Sequence, residues 1–174
     1  MSGHRIEAAL FDFGGVLTTP VWDTFADFCR REGLEPDLVK RVFREDPEAL
    51  ALLRRLEIGE LSEEEFESEF GRRLGLEHPE NLIDSLFAGM KPDDTMISAV
   101  RDLRVGGIKT GLISNSWSTG HYDRDLLALI FDESLISGEL GMHKPEPEIY
   151  LLASERLGVD PKASLFVDDL RENC

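Results

Sequence analysis

The sequence predicts an α/β protein with a doubly wound parallel sheet and a small helical bundle inserted after its first strand. Three observations carry this. Short apolar runs at Ala8–Phe11, Ile108–Ser114 and Leu165–Val167 each lead into a polar group. Segments of helical periodicity alternate with the later runs, as parallel sheets with right-handed crossovers require. From Pro20 to Ala88 there are only helical patterns.

The first run, Ala8-Ala9-Leu10-Phe11, has no polar alternation and suits a strand buried on both faces in mid-sheet. Asp12 follows at its carboxyl end, where open α/β sheets bind ligands. Gly14 and Gly15 let the backbone turn sharply and approach a ligand. Thr19 reads as the N-cap of a helix with Pro20 at its first position, carrying Val21, Trp22, Phe25, Phe28 and Cys29 until Gly33. Asp46-Pro47 opens another helix, with Leu50, Leu53 and Leu56 expected on one apolar face before Gly59. Ser62 to Glu65 is a capping box ahead of Phe66, Phe70 and Leu74. Pro79 to Ala88 is expected as a further helix. Met90 to Asp94 reads as a linker back to the sheet. A helix through Met96, Ile97, Val100 and Leu103 then ends at Gly106-Gly107, and Ile108 to Ser114 is a strand. A helix from His121 to Ile130, a short strand near Ser134 to Ser137, a helix from Pro147 to Leu157 and a strand from Leu165 to Asp168 follow. The expected domains are a discontinuous core, 1–17 and 90–174, and a helical cap, 18–89.

At 174 residues the chain fits one domain, or a core plus an insert, burying roughly 70% of its unfolded surface. Its net charge of −16 comes from 35 acids against 19 bases. So acidic a surface argues against nucleic acid or an anionic membrane as partner. It also repels phosphate esters, so a phosphate site needs a local positive source. No apolar run approaches the roughly 18 residues of a membrane helix, and Met1 to Arg5 lacks the apolar stretch of a secretory signal. Cys29 and Cys174 form no disulfide or metal pattern, which fits a cytoplasmic location.

Four stretches carry candidate chemistry. A strand-end carboxylate such as Asp12 can attack phosphorus and divide one displacement into two. Ser114 and Asn115 offer a hydroxyl and an amide, although in isolation a turn or helix N-cap is the stronger reading. Lys144 could set an ammonium against phosphoryl oxygens and the Asp12 carboxylate. Asp168-Asp169, straight after an apolar strand, would be costly without a compensating cation. Mg²⁺ suits such oxygen donors.

In order and spacing these stretches resemble the motifs of the haloacid dehalogenase (HAD) superfamily, over nearly the whole chain. Gly141 to Tyr150 looks most like the branch holding α-D-glucose-1-phosphate phosphatases and the N-terminal phosphatase domains of soluble epoxide hydrolases. The resemblance implies a Rossmann-like core with a cap. It makes Asp12 the nucleophile and Lys144 its catalytic partner, with Ser114, Asn115, Gly14 and Gly15 around the phosphate. It implies a Mg²⁺ site from Asp12, the Gly14 carbonyl and Asp169, with Asp168 supporting. Trp22, Asp23 and Trp117 would face the leaving group, although cap packing is the plainer reading of Trp22. The expected activity is Mg²⁺-dependent hydrolysis of a small phosphomonoester, such as a sugar phosphate. Alternatives are a 2-haloacid dehalogenase and a catalytically impaired binding protein of the same fold.

One position departs from the family pattern. Gly14 stands where most phosphatases of this superfamily carry a general acid. The glucose-1-phosphate phosphatase branch shares the gap. His121, His143 or a water on the cation are candidate replacements, although each histidine reads more simply as a surface or packing residue. Without the acid, aryl, acyl and anomeric phosphates should react better than alkyl ones. The superfamily usually continues past the Asp168 strand with a further helix and strand. A chain ending at Cys174 is therefore expected to be shortened and to present an apolar edge at Leu165–Val167, with a homodimer as one way of covering it.

Overall fold

The computed structural model describes residues 5–174; Met1 to His4, where the expectation about a secretory signal mostly falls, lie outside the described residues. Four parallel strands form one sheet in the order β3 (Glu133–Ile136), β2 (Lys109–Ser114), β1 (Ala8–Phe11), β4 (Ser164–Val167). β1 is interior and buried at every residue, as its unbroken apolar run requires. Its alternate side chains serve opposite faces. Ala9 and Phe11 pack with helices α6 (Asp94–Val105) and α7 (Arg124–Ile130), through Ile97, Val100, Leu127 and Ile130. Ala8 and Leu10 pack with α9 (Pro147–Leu157), through Ile149, Ala153 and Leu157. The sheet is thus doubly wound. α8 (Ser137–Leu140) is a single turn after β3. β4 lies at the edge, with Leu165 52% exposed.

Five helices lie between β1 and α6: α1 (Val21–Arg31), α2 (Leu38–Glu45), α3 (Pro47–Glu57), α4 (Glu63–Leu74) and α5 (Leu82–Phe87). They share one apolar cluster built on Phe25, Phe28, Phe66, Phe70, Ile83 and Leu86. Each fully buried aromatic there contributes on the order of 1.5–3 kcal/mol relative to an exposed one.

Local chemistry sets most of the boundaries. Asp46 caps α3 by accepting from the Glu48 N–H at 2.9 Å. Both halves of the Ser62–Glu65 capping box are formed. Gly75, at φ +77°, ends α4 in the left-handed conformation.

Four local expectations need correcting. Thr19 does not cap α1: its hydroxyl accepts from the Lys91 N–H at 3.1 Å, tying together the two segments that cross between sheet and helices. Pro20 is the capping residue and α1 starts at Val21. On α3 the buried stripe is Ala49, Leu52 and Leu56, while Leu50 is 48% exposed. The helix expected over 79–88 begins only at Leu82, because the Glu67 carboxylate accepts from both the Asn81 and Ile83 N–H groups at 3.0 Å and fixes a turn before it. α7 likewise starts at Arg124, capped by Asp123, which leaves His121 on a loop.

Candidate active site

The register of the sheet assembles the site. Phe11 pairs with Leu112 on one side and Val167 on the other, and the Asp12 N–H donates to the Val167 carbonyl at 2.9 Å. Asp12, Ser114 and Asp168 therefore emerge at one end of the sheet, although they are far apart in sequence. Lys144 comes from the loop between α8 and α9. Its Nζ lies 2.6 Å from Asp12 Oδ1 and 2.6 Å from Asp168 Oδ2, with 1% of its side chain exposed.

That position is held by Asn115. Its Oδ1 accepts from the Lys144 N–H at 2.8 Å, and its Nδ2 donates to the Lys144 carbonyl at 3.1 Å. The Asn115 amide, expected at the phosphate, here clamps the lysine backbone. His143 lies behind it: Nδ1–H donates to the Lys144 carbonyl, while Nε2 accepts from Arg54 Nε at 3.1 Å. Both ring nitrogens are engaged, so His143 is a packing residue. His121 lines the cavity, half-exposed, and pairs with Asp84 of α5 at 2.7 Å.

The two adjacent aspartates differ. Asp168 is fully enclosed and accepts from the Leu170 N–H at 2.8 Å, from Asn173 Nδ2 at 3.1 Å and from Lys144. Asp169 receives no side-chain hydrogen bond from any of the described residues. Carboxylate oxygens of Asp12, Asp168 and Asp169 all lie within 4.8 Å of one another. Burial, only partly countered by Lys144 and reinforced by the Asp168 charge, raises the Asp12 carboxyl to about 6. Burial and Asp168 raise Asp169 as well. One ammonium thus does not balance this cluster.

A hard divalent cation with oxygen preference fits the donor set. The backbone leaves room beside it. Gly15 has φ +79°, and a β-carbon there would come within 2.5 Å of Asp169 Oδ2. At Gly14 a β-carbon would stand 2.9 Å from Val21 Cγ2, so a side chain there requires Val21 to shift.

A cavity of about 180 Å³ opens over these groups. Asp12, Gly14, Ser114, Asn115, Lys144 and Asp169 line it from the sheet, and Val21, Trp22, Phe25, Leu53 and Phe87 line it from α1, α3 and α5. Trp117 both lines the cavity and inserts among the helices, with ring centroids 5.3 Å from Phe25, 5.4 Å from Phe66 and 5.4 Å from Phe87. Trp22 packs edge-on against Phe25 and also reaches the cavity. Ser114 is buried, and its hydroxyl shares a 2.9 Å hydrogen bond with Tyr122, whose phenol burial keeps protonated.

Sequence reasoning missed Glu57. It is the last residue of α3, is 9% exposed and lines the same cavity. Burial, with the Asp12 charge adding to it and Lys144 and Arg54 opposing, raises its carboxyl to about 8.

The family model for haloacid dehalogenase-like hydrolases matches residues 6–172. The chain belongs to the haloacid dehalogenase-like hydrolases. Relatives of this HAD-like hydrolase include a glyceraldehyde 3-phosphate phosphatase of Methanopyrus kandleri, 32% identical over 110 residues, covering 56% of the chain and 47% of the relative. A bifunctional epoxide hydrolase 2 of Sus scrofa is 26% identical, over 95% of the chain and 33% of the relative. The chain thus spans about half or less of the length of these curated relatives. Among solved structures, a HAD family enzyme of Bacteroides thetaiotaomicron in a magnesium complex superposes with a TM-score of 0.72 at 23% identity. That alignment covers 97% of this chain and 86% of the other. At that identity the likeness shows the fold.

Proposed function

We propose that this HAD-like hydrolase is a Mg²⁺-dependent phosphatase of small phosphomonoesters that works through an aspartyl-phosphate on Asp12. The observation that carries the reading is the constellation at the carboxyl end of the sheet: a buried strand-end carboxylate bonded to a buried ammonium, beside a second carboxylate pair that one lysine does not neutralise. Asp12 and Asp169, with the Gly14 carbonyl, would hold the cation. When bound, it supplies charge neutralisation for phosphoryl oxygens.

The chain's own residues do the rest. A carboxylate oxygen of Asp12 attacks phosphorus as the bond to the leaving oxygen breaks, and water then cleaves the phosphoaspartate. Lys144 fixes the Asp12 carboxylate and is available to the phosphoryl oxygens, while Asn115 and Asp168 hold Lys144. Ser114, and the backbone at Gly14 and Gly15, border the phosphoryl position. We read residues 18–89 as a cap that closes the cavity and excludes water, with Trp117 and Trp22 facing the leaving group. The glyceraldehyde 3-phosphate phosphatase relative supports a small phosphorylated substrate. A halide-releasing hydrolase would use Asp12 and Lys144 equally but needs no metal, which leaves the Asp169 carboxylate without a role.

A panel of phosphate esters, with Mg²⁺ and with chelator, tests the reading. Phosphate release should require the metal and vanish in Asp12→Asn. Metal-independent halide release from 2-haloacids, with no ester turned over, would contradict it.

A further inference from the structure

Gly14 leaves the reaction above without an acid, and the cap supplies a carboxyl at the right place. We propose that Glu57 is the general acid and base of this site, acting across the cavity from α3 on a substrate held by Asp12. The inference rests on the phosphatase reading. In the first step Asp12 bonds to phosphorus, the bond to the leaving oxygen breaks, and the Glu57 carboxyl proton passes to that oxygen to give the alcohol. In the second step the Glu57 carboxylate takes a proton from water as its oxygen bonds to phosphorus. The bond to Asp12 breaks, releasing phosphate and restoring both carboxyl groups.

The geometry supports this in three ways. Glu57 is buried and lines the same cavity as Asp12, Lys144 and Asp169, yet it comes from the helical insert, the side from which a leaving group is covered. Its only side-chain partner among the described residues is the Asn115 amide, with Nδ2 donating to Oε2 at 3.4 Å, a long bond that is easily exchanged for a substrate oxygen. Among the described residues no cation bonds to it. The Lys144 ammonium lies 2.6 Å from both Asp12 and Asp168, and the Arg54 guanidinium is engaged by His143 and by Glu146 at 3.5 Å.

The charged groups acting on it are Asp12 from the end of β1, Lys144 from the loop after α8, and Arg54 from its own helix. Burial outweighs them and keeps the carboxyl protonated at neutral pH, the state an acid needs. The helix end is itself fixed, because the Ser137 hydroxyl of α8 donates to the Glu57 carbonyl at 2.5 Å. The helix end that carries the carboxyl is thus anchored to the sheet side of the cavity and not by the insert alone.

Glu57→Gln keeps the shape and removes the proton. It should lower kcat on an alkyl phosphate by about 10²- to 10⁴-fold while lowering it less than about tenfold on p-nitrophenyl phosphate, whose leaving group needs no proton. The alkaline limb of the kcat profile on the alkyl ester should disappear with it. Carboxyl ¹³C NMR of the metal-free parent gives a second readout that survives a poorly folding variant: Glu57 should still be protonated at neutral pH. Equal losses on both esters, no loss on either, or a Glu57 carboxyl already ionised at neutral pH would overturn the assignment while leaving Asp12-dependent turnover standing. Absence of any Asp12-dependent phosphate release in the parent would remove the reaction and its acid together.

Discussion

Lys144 carries its charge where solvent hardly reaches it, and two carboxylates at 2.6 Å make that possible. Breaking a buried pair from one side leaves the other charge unpaired, typically at about 3–5 kcal/mol. Lys144→Met should therefore lose activity and destabilise the fold by about that much in chemical denaturation. Gly14→Asp, the substitution that would restore the usual acid, meets Val21 Cγ2 at 2.9 Å. It should cost about 1–3 kcal/mol as overpacking does, and Gly14→Asp with Val21→Ala should recover part of that in thermal melts. Glu57 gives a pH dependence whose sign follows from linkage. Its folded carboxyl, at about 8 against an ordinary 4.5, holds a proton that the unfolded chain releases. Its contribution is complete below the lower value and is lost as pH rises through the higher one, at up to about 1.4 kcal/mol per pH unit. Asp12 acts in the same direction at lower pH. In chelator, melts of the parent should fall between about pH 5 and 8 more steeply than those of Glu57→Gln; parallel curves would show that Glu57 is ionised in the fold.

At the level of elements, the legible parts were those whose signal is local. β1 announced itself by four apolar residues without alternation, α4 by Ser62 and Glu65, and the site by polar groups placed straight after apolar strands. Asp12, Asp168 and Asp169 were marked that way and Lys144 by the resemblance of Gly141 to Tyr150, and the structure brings these four side chains together. Glu57 had no such signal. In Arg54-Arg55-Leu56-Glu57 it reads as part of a solvated helix end, and only tertiary packing, which brings Ser137 of α8 to its backbone and Asn115 to its carboxyl, buries it. Leu50 misled in the opposite sense: a large apolar residue faces solvent while the small Ala49 is fully buried. Leu50→Glu should therefore shift stability by no more than about 0.5 kcal/mol, and Leu52→Ala should cost about 2–5 kcal/mol. Similar losses from the two would contradict the observed stripe. Trp117 shows how one residue couples the units: it belongs to the loop after β2 but packs among aromatic rings from α1, α4 and α5.

Over the whole molecule, a net charge of −16 repels the anionic substrate that the site is read as binding. On the proposed reading the local remedy is Lys144 plus a cation on the aspartate cluster. Mg²⁺ should therefore raise the melting temperature by mass action on the folded state, and Asp169→Asn should abolish that rise; an equal rise in both proteins would place the ion elsewhere. Beryllofluoride, which occupies a phosphoryl-accepting carboxylate beside a metal, probes Asp12 when its binding is followed by ¹⁹F NMR. A bound, Mg²⁺-dependent signal is expected in the parent protein and should be absent in Asp12→Asn. No bound signal in the parent, or the same signal in Asp12→Asn, would contradict it.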